Sequence, residues 1–226
     1  PAPPARDGGL TLGATTIPAE DEYHVHSQSA ADAAYLGRPY GLGPRVPLYA
    51  VSPWSKGGHV ASEVFDHTSI LRFLEARFGV MEPNISAWRR AVCGDLTSCF
   101  DFSGSDTRLF LASLPTTTTL SQRAVQLQEV PPPLPTALAA PVQETGLRRR
   151  RPTPYRIDAR LHNDGAGSSL LFANHSKERA AVFHVYDVAK PDQVPARYTV
   201  GPDQQLAHRI NGTAALVDLF VLGPNG

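Results

Sequence analysis

YRIDARLH at 155–162, SSLLFANH at 168–175, AAVFHVYDV at 180–188, ARYTVG at 196–201, QQLAHRI at 204–210 and AALVDLFVL at 214–222 fill the last part of a 226-residue chain. Each run is short and either alternates apolar with polar residues or is rich in β-branched and aromatic ones. Turn signals such as Asn163-Asp164-Gly165 and Asn211-Gly212 separate them. Short strands at this spacing predict an all-β antiparallel sandwich over residues 155–226. The last run passes into Gly223-Pro224-Asn225-Gly226, a signal that ordinarily leads back into another strand, so the module is expected to be truncated.

Upstream the composition changes. Residues 131–154, PPPLPTALAAPVQETGLRRRRPTP, hold too little apolar surface to offset the entropy of ordering, and residues 130–154 read as an inter-domain linker. A separate region is therefore expected over residues 1–129. Its clearest element is a helix in which Ile70, Phe73, Leu74 and Phe78 share one face. Asp66, Thr68 or Ser69 can cap its free amides, and Gly79 can take the left-handed conformation that ends it. A second helix is expected from Ser86 to Cys93, stopped at Gly94, and a third around Leu120 to Gln128, ahead of Pro131. The apolar run Val46 to Val51 suits a buried strand with Pro47 near its start. The first twenty residues show no period of either kind and read as an extended lead-in.

Charge and length exclude several functions. Lysine plus arginine equals aspartate plus glutamate at 21 each, so no net field draws the molecule to nucleic acid, which is not expected as a partner. The run Arg148-Arg149-Arg150-Arg151 sits among prolines, where a solvated linker is favoured over a polyanion site. No stretch approaches the roughly 20 apolar residues of a transmembrane helix, though contact with a membrane surface stays open. Pro1-Ala2-Pro3-Pro4 lacks the features of a signal peptide. Cys93 and Cys99 admit either a small disulfide loop or two buried free thiols.

Few residues carry candidate chemistry. His59, Asp66 and His67 form the one dense group of metal-capable side chains, but a hydrolytic site needs three or more converging ligands, and no second set stands at a recognisable spacing. Asp66 is more simply a helix cap and His67 a first-turn residue; together they would brace the floor of an active site from behind. Ser52, Trp54 and Ser55 follow the expected strand, and ligand sites in open α/β sheets collect at strand carboxyl ends. An aromatic face at Trp54 could hold a quaternary ammonium by cation–π attraction; packing of Trp54 against the adjacent helix is the competing reading. Trp88, Arg89 and Arg90 could form a phosphate clamp, but neighbours on a helix point apart, which favours Trp88 in the core and the arginines paired with Asp95 or Glu82. No serine lies in a G-x-S-x-G elbow, and no glycine-rich loop matches a phosphate-cradling pattern.

Three stretches, RVPLYAVSPWSKGG (45–58), FDHTSILRFLEARFGV (65–80) and EPNISAWRRAVCGDLTSCFDF (82–102), together resemble the bacterial phosphocholine-preferring phospholipase C family of metal-dependent phosphoesterases. RLHNDGAGSSLLFANHS (160–176) and LVDLFVLGPNG (216–226) resemble one copy of that family's C-terminal β module. The resemblance implies that residues 1–129 are the closing part of an alkaline-phosphatase-like α/β domain. It further implies a secreted or periplasmic parent enzyme that hydrolyses phosphatidylcholine or sphingomyelin with a divalent metal ion. The metal ligands and the Ser/Thr nucleophile are expected upstream of Pro1, so this chain alone is expected to be inactive and to bind no metal. Ser52, Trp54, His59, Asp66 and His67 are the residues here expected to touch substrate or to back those that do. His59 departs from the pattern, which places an aromatic such as tryptophan there. A chain complete as it stands would instead be a non-catalytic lipid- or partner-binding protein.

Overall fold

The computed structural model describes residues 1–7, 10–106, 116–127, 131, 133–134, 136–137, 142, 145–163, 165, 167–210 and 218–224. Two short strands open the chain, β1 (Ala5–Asp7) and β2 (Leu10–Thr15). Four α-helices follow among the described residues: α1 (Ala30–Ala33), α2 (His67–Phe78), α3 (Ala87–Val92) and α4 (Thr118–Leu127). The six runs between residues 155 and 222 carry the strands β3 (Ile157–Asn163), β4 (Ser168–Asn174), β5 (Ala181–Asp187), β6 (Ala196–Val200), β7 (Gln204–Arg209) and β8 (Leu219–Leu222).

The strands form two sheets, ordered β3-β4-β7 and β1-β2-β6-β5-β8. Phe172 of β4 faces the other sheet, with ring centroids 4.9 Å from Phe183 of β5 and 4.6 Å from Tyr198 of β6. Leu170, Ala181, Val185 and Val200 complete this core. Alternation is what places them there, because every second side chain on β4 and β5 points into the space between the sheets.

The larger sheet departs from the antiparallel expectation. β2 runs parallel to β6, pairing Gly13, Ala14 and Thr15 with Arg197, Tyr198 and Thr199. The opening residues are thus strands of the module's own sheet rather than a bare lead-in. A periodicity search misses them because Gly13 interrupts the pattern. Yet glycine is what the pairing needs: its φ is +116°, and a Cβ there would lie 1.8 Å from the Arg197 carbonyl oxygen.

A second core joins this sheet to the helices. Trp88 and Val92 of α3 pack with Ala19, Tyr23, Cys93, Ala180 and Val182. The Trp88 indole N–H donates to Thr199 Oγ1 at 3.2 Å, so the buried ring keeps a partner for its polar atom. The Val64 amide donates to Tyr155 Oη at 3.0 Å, and the Ala180 amide donates to the Ala91 carbonyl at 2.8 Å. Cys93 and Cys99 are free, buried thiols, and burial pushes both thiol pKa values up.

α2 begins and ends as its sequence predicts. The Asp66 side chain accepts from the Thr68 amide, Ser69 completes a capping box, and Gly79 closes the helix at φ +72°. Ser86 caps α3 by accepting from the Arg89 amide, and the chain leaves that helix at Cys93, one residue before Gly94. α4 spans Thr118–Leu127 with no buried residue.

The run Val46 to Val51 is not a strand. Its backbone carries no ladder partner among the described residues, and Val46, Leu48, Tyr49 and Val51 are exposed. Apolar residues form a strand only where a neighbour supplies donors and acceptors, and here left-handed Gly41 and Gly43 together with Pro44 and Pro47 keep the segment irregular. No helix among the described residues is long and apolar enough to cross a membrane.

Candidate functional site

A cleft of about 720 Å³ opens between the loop that follows Val51 and the segment around Asp101. Its shape begins with Ser52. The Ser52 hydroxyl accepts from the Trp54 amide at 3.1 Å, and Ser55 Oγ accepts from the Ser52 amide at 2.9 Å while donating to the Ala50 carbonyl at 2.7 Å. These local bonds make a tight turn that lifts the Trp54 ring to the surface, where it is 42% exposed.

Trp54 lies 6.0 Å from Phe102, Phe102 lies 5.5 Å from Phe100, and Phe100 lies 5.5 Å from Phe73 of α2. A row of aromatic rings therefore runs from the helix to the cleft, and Trp54 leans on Phe102 at its outer end. Each contact has the spacing and tilt of a favourable aromatic pair.

His59 and Asp101 line the same cleft. Asp101 Oδ1 accepts from the Ser103 amide at 3.1 Å and the Ser103 hydroxyl at 2.6 Å. Those bonds hold its carboxyl below the usual range, and the positive charge of Arg151 acts in the same direction. Lys56 sits 3.7 Å from Asp106 at the rim.

Asp66 and His67 stand apart from this cleft. The Asp66 carboxylate is spent on Thr68 and on Arg89, whose Nη1 donates to Oδ2 at 2.5 Å. Arg89 Nε also donates to Glu22 Oε1 at 2.8 Å, and Nη2 donates to the Gly41 carbonyl at 3.1 Å. Burial alone would lower the Arg89 pKa; the bonds to Glu22 and Asp66 outweigh it and hold the cation. Asp66 and Glu22 thus fasten the start of α2 and residues 20–22 to α3, while His67 is exposed at the first helical position.

Arginine pairing is as the sequence suggests, but with other partners. Arg90 grips both Glu75 oxygens, at 2.8 and 3.0 Å, and donates to the Glu82 carbonyl at 2.5 Å. Hydrogen bonds from Arg90 pull the Glu75 carboxyl down to about 2. Asp95 instead stands 3.9 Å from Arg179. Arg179 Nε donates to the buried Glu63 Oε1 at 2.6 Å, an ion pair between residues 116 apart that no local spacing could have flagged.

Residues 13–81 match the model of the Phosphoesterase family, and residues 150–226 match the model of the bacterial phospholipase C, C-terminal domain. All of the chain aligns with the non-hemolytic phospholipase C of Pseudomonas aeruginosa at 49% identity over 229 residues, covering 32% of that protein. Along its whole length the chain is thus similar to a bacterial phospholipase C. It is also 42% identical over 235 residues to the non-hemolytic phospholipase C of Burkholderia pseudomallei, covering 100% of the chain and 32% of that protein. With the hemolytic phospholipase C of P. aeruginosa it shares 44% identity over 221 residues, 88% of the chain and 28% of that relative. The chain spans about a third of the length of these curated relatives. No group of three or more His, Cys, Asp or Glu among the described residues converges on a point where an ion could sit. Asp66 is tied to Arg89 and capping, and His59 opens into a different region, so this donor set does not fit a divalent metal centre.

Proposed function

We propose that the chain is part of a phospholipase C that hydrolyses phosphatidylcholine or sphingomyelin to phosphocholine and diacylglycerol or ceramide. Residues 1–129 close an alkaline-phosphatase-like catalytic domain, residues 130–154 connect it, and residues 155–226 form the core of the accessory β module. The nucleophile and the divalent metal ligands belong to residues upstream of Pro1, and the parent enzyme acts outside the cytoplasm. The observation that carries this reading is similarity along the whole chain to a non-hemolytic phospholipase C, at 49% identity.

Trp54 supplies the substrate contact we assign to this chain. Its exposed face, propped by Phe102 and set by the Ser52 turn, suits the ammonium of a choline head group. Ser52 positions that face, and His59 stands beside it. In the full-length enzyme, Trp54→Ala is expected to raise KM for phosphatidylcholine about tenfold, the scale of one cation–π contact, with Trp54→Phe intermediate. Unchanged kinetics in both variants would remove Trp54 from the substrate pocket. Absence of phosphocholine release by the full-length enzyme, with its metal supplied, would overturn the assignment as a whole.

A further inference from the structure

Arg149 and Arg151 of the arginine run lie along the Trp54 cleft. The Val60 amide donates to the Arg149 carbonyl at 2.8 Å and the Arg151 amide donates to the Val60 carbonyl at 2.9 Å, a parallel bridge that lays residues 149–151 beside the end of the cleft loop. Arg151 Nη2 then reaches the Trp54 carbonyl at 3.2 Å. Arg149 and Arg151, two residues apart, line the cleft together, with Lys56 and His59 contributed by the loop.

Two features show what this wall lacks. Arg151 Nε is buried without an acceptor, a costly state for a guanidinium N–H. Neither carboxylate of the cleft, Asp101 or Asp106, hydrogen-bonds to that Nε, and Asp106 stands 3.7 Å from Lys56. Three fixed cations, Lys56, Arg149 and Arg151, face two carboxylates, so the cleft is left with net positive charge beside an exposed indole.

We propose that the Arg148–Arg151 run converts the Trp54 cleft into an anion site for the phosphate group of an organic phosphate ester, with the guanidinium groups of Arg149 and Arg151 as donors and Trp54 under the ester's organic part. Forked guanidinium donors match phosphate oxygens, and an aromatic face tolerates many attached groups. The proposal rests on the reading of the Trp54 cleft as a pocket wall, but it assigns binding of phosphate and no chemistry.

The test uses the 226-residue chain. Titration calorimetry with phosphocholine, inorganic phosphate and choline chloride is expected to give saturable binding of the two phosphates, choline binding at least tenfold weaker. Affinity falls as salt is raised. Arg149→Gln with Arg151→Gln is expected to weaken phosphocholine at least tenfold. Should that pair of changes lower the melting temperature, Arg149→Lys, which keeps the charge and loses the fork, serves instead with a several-fold loss. Phosphatidylcholine vesicles that compete with soluble phosphocholine identify a lipid head group as the source, and vesicles that do not compete identify a free ester; either outcome supports the site. Choline equal to phosphocholine, or undiminished affinity in a folded variant, overturns it. Intact hydrolysis by the full-length enzyme alongside failed phosphate binding here would sink this inference and leave the phospholipase reading standing.

Discussion

Phe172 in β4 and Phe78 in α2 occupy equally well-patterned elements and meet opposite fates. Phe172 is 1% exposed between the two sheets, whereas Phe78 is 68% exposed, alongside Ile70, Leu71 and Leu74. The β module closes on itself with the help of β2, which returns from the start of the chain to pair with β6. Ile70, Leu74 and Phe78 of α2, unlike Phe73, and the Val46 to Val51 run have no such cover among the described residues. Periodicity states that a face is to be covered; it does not state by what. On the reading proposed above, the other two-thirds of a phospholipase C supplies the cover, so residues 1–129 alone are expected to unfold without a sharp thermal transition.

The contrast can be broken most directly in the module. Phe172→Ala removes a ring held at 4.6 and 4.9 Å from two others and is expected to cost about 3–5 kcal/mol in denaturant unfolding of the chain. A loss below about 1 kcal/mol would mean that the two sheets are not the stable body the packing implies.

The joint between the regions comes next. Arg179→Met leaves the Glu63 carboxylate, only 4% exposed, with Ser98 as its hydrogen-bond donor. Breaking a buried pair from one side costs about 3 kcal/mol, because the remaining charge stays desolvated. Glu63→Gln combined with Arg179→Met is expected to recover much of that loss. Double-mutant stability equal to the sum of the single losses would show that the two residues are not coupled.

A pH effect of about 3 kcal/mol follows from His184 in β5. Burial, with added positive charge that includes Arg197, lowers its pKa to about 4 from an ordinary value near 6.5. Between those values the unfolded chain binds the proton and the folded one does not. This contribution to stability is therefore complete above pH 6.5 and is lost as the pH falls toward 4. His184→Gln is expected to flatten the dependence of unfolding free energy over that window; an unaltered slope would assign the effect to other groups.

Much of this arrangement was legible in advance. The six strands, the capping of α2 by Asp66 and Ser69, the Ser86 cap and the buried Trp88 all follow from local residue patterns, because alternation, caps and stop signals act within a few positions. What was not legible depends on distance along the chain. β2 needs β6 to exist as a strand, and its sequence contains the glycine that this approach requires. Glu63 finds Arg179, and Glu22 finds Arg89, through tertiary folding. The Trp54 cleft is partly local, since its turn is written in Ser52 and Ser55. Arg149 and Arg151 enter it through the bridge to Val60, which no spacing rule anticipates.

Phe78→Ser carries the smallest expected effect and sharpens the comparison most. In this chain the substitution replaces a ring already in water, so the change in unfolding free energy is expected to stay within about 0.5 kcal/mol. In a full-length phospholipase C the same substitution is expected to cost about 2–4 kcal/mol, since a covered ring loses its burial and leaves a cavity. Matched denaturation of both forms reads the difference directly. Equal small effects in the two would show that the α2 face stays in solvent in the larger protein, and the exposure seen here would then be its working state rather than a surface waiting for its cover.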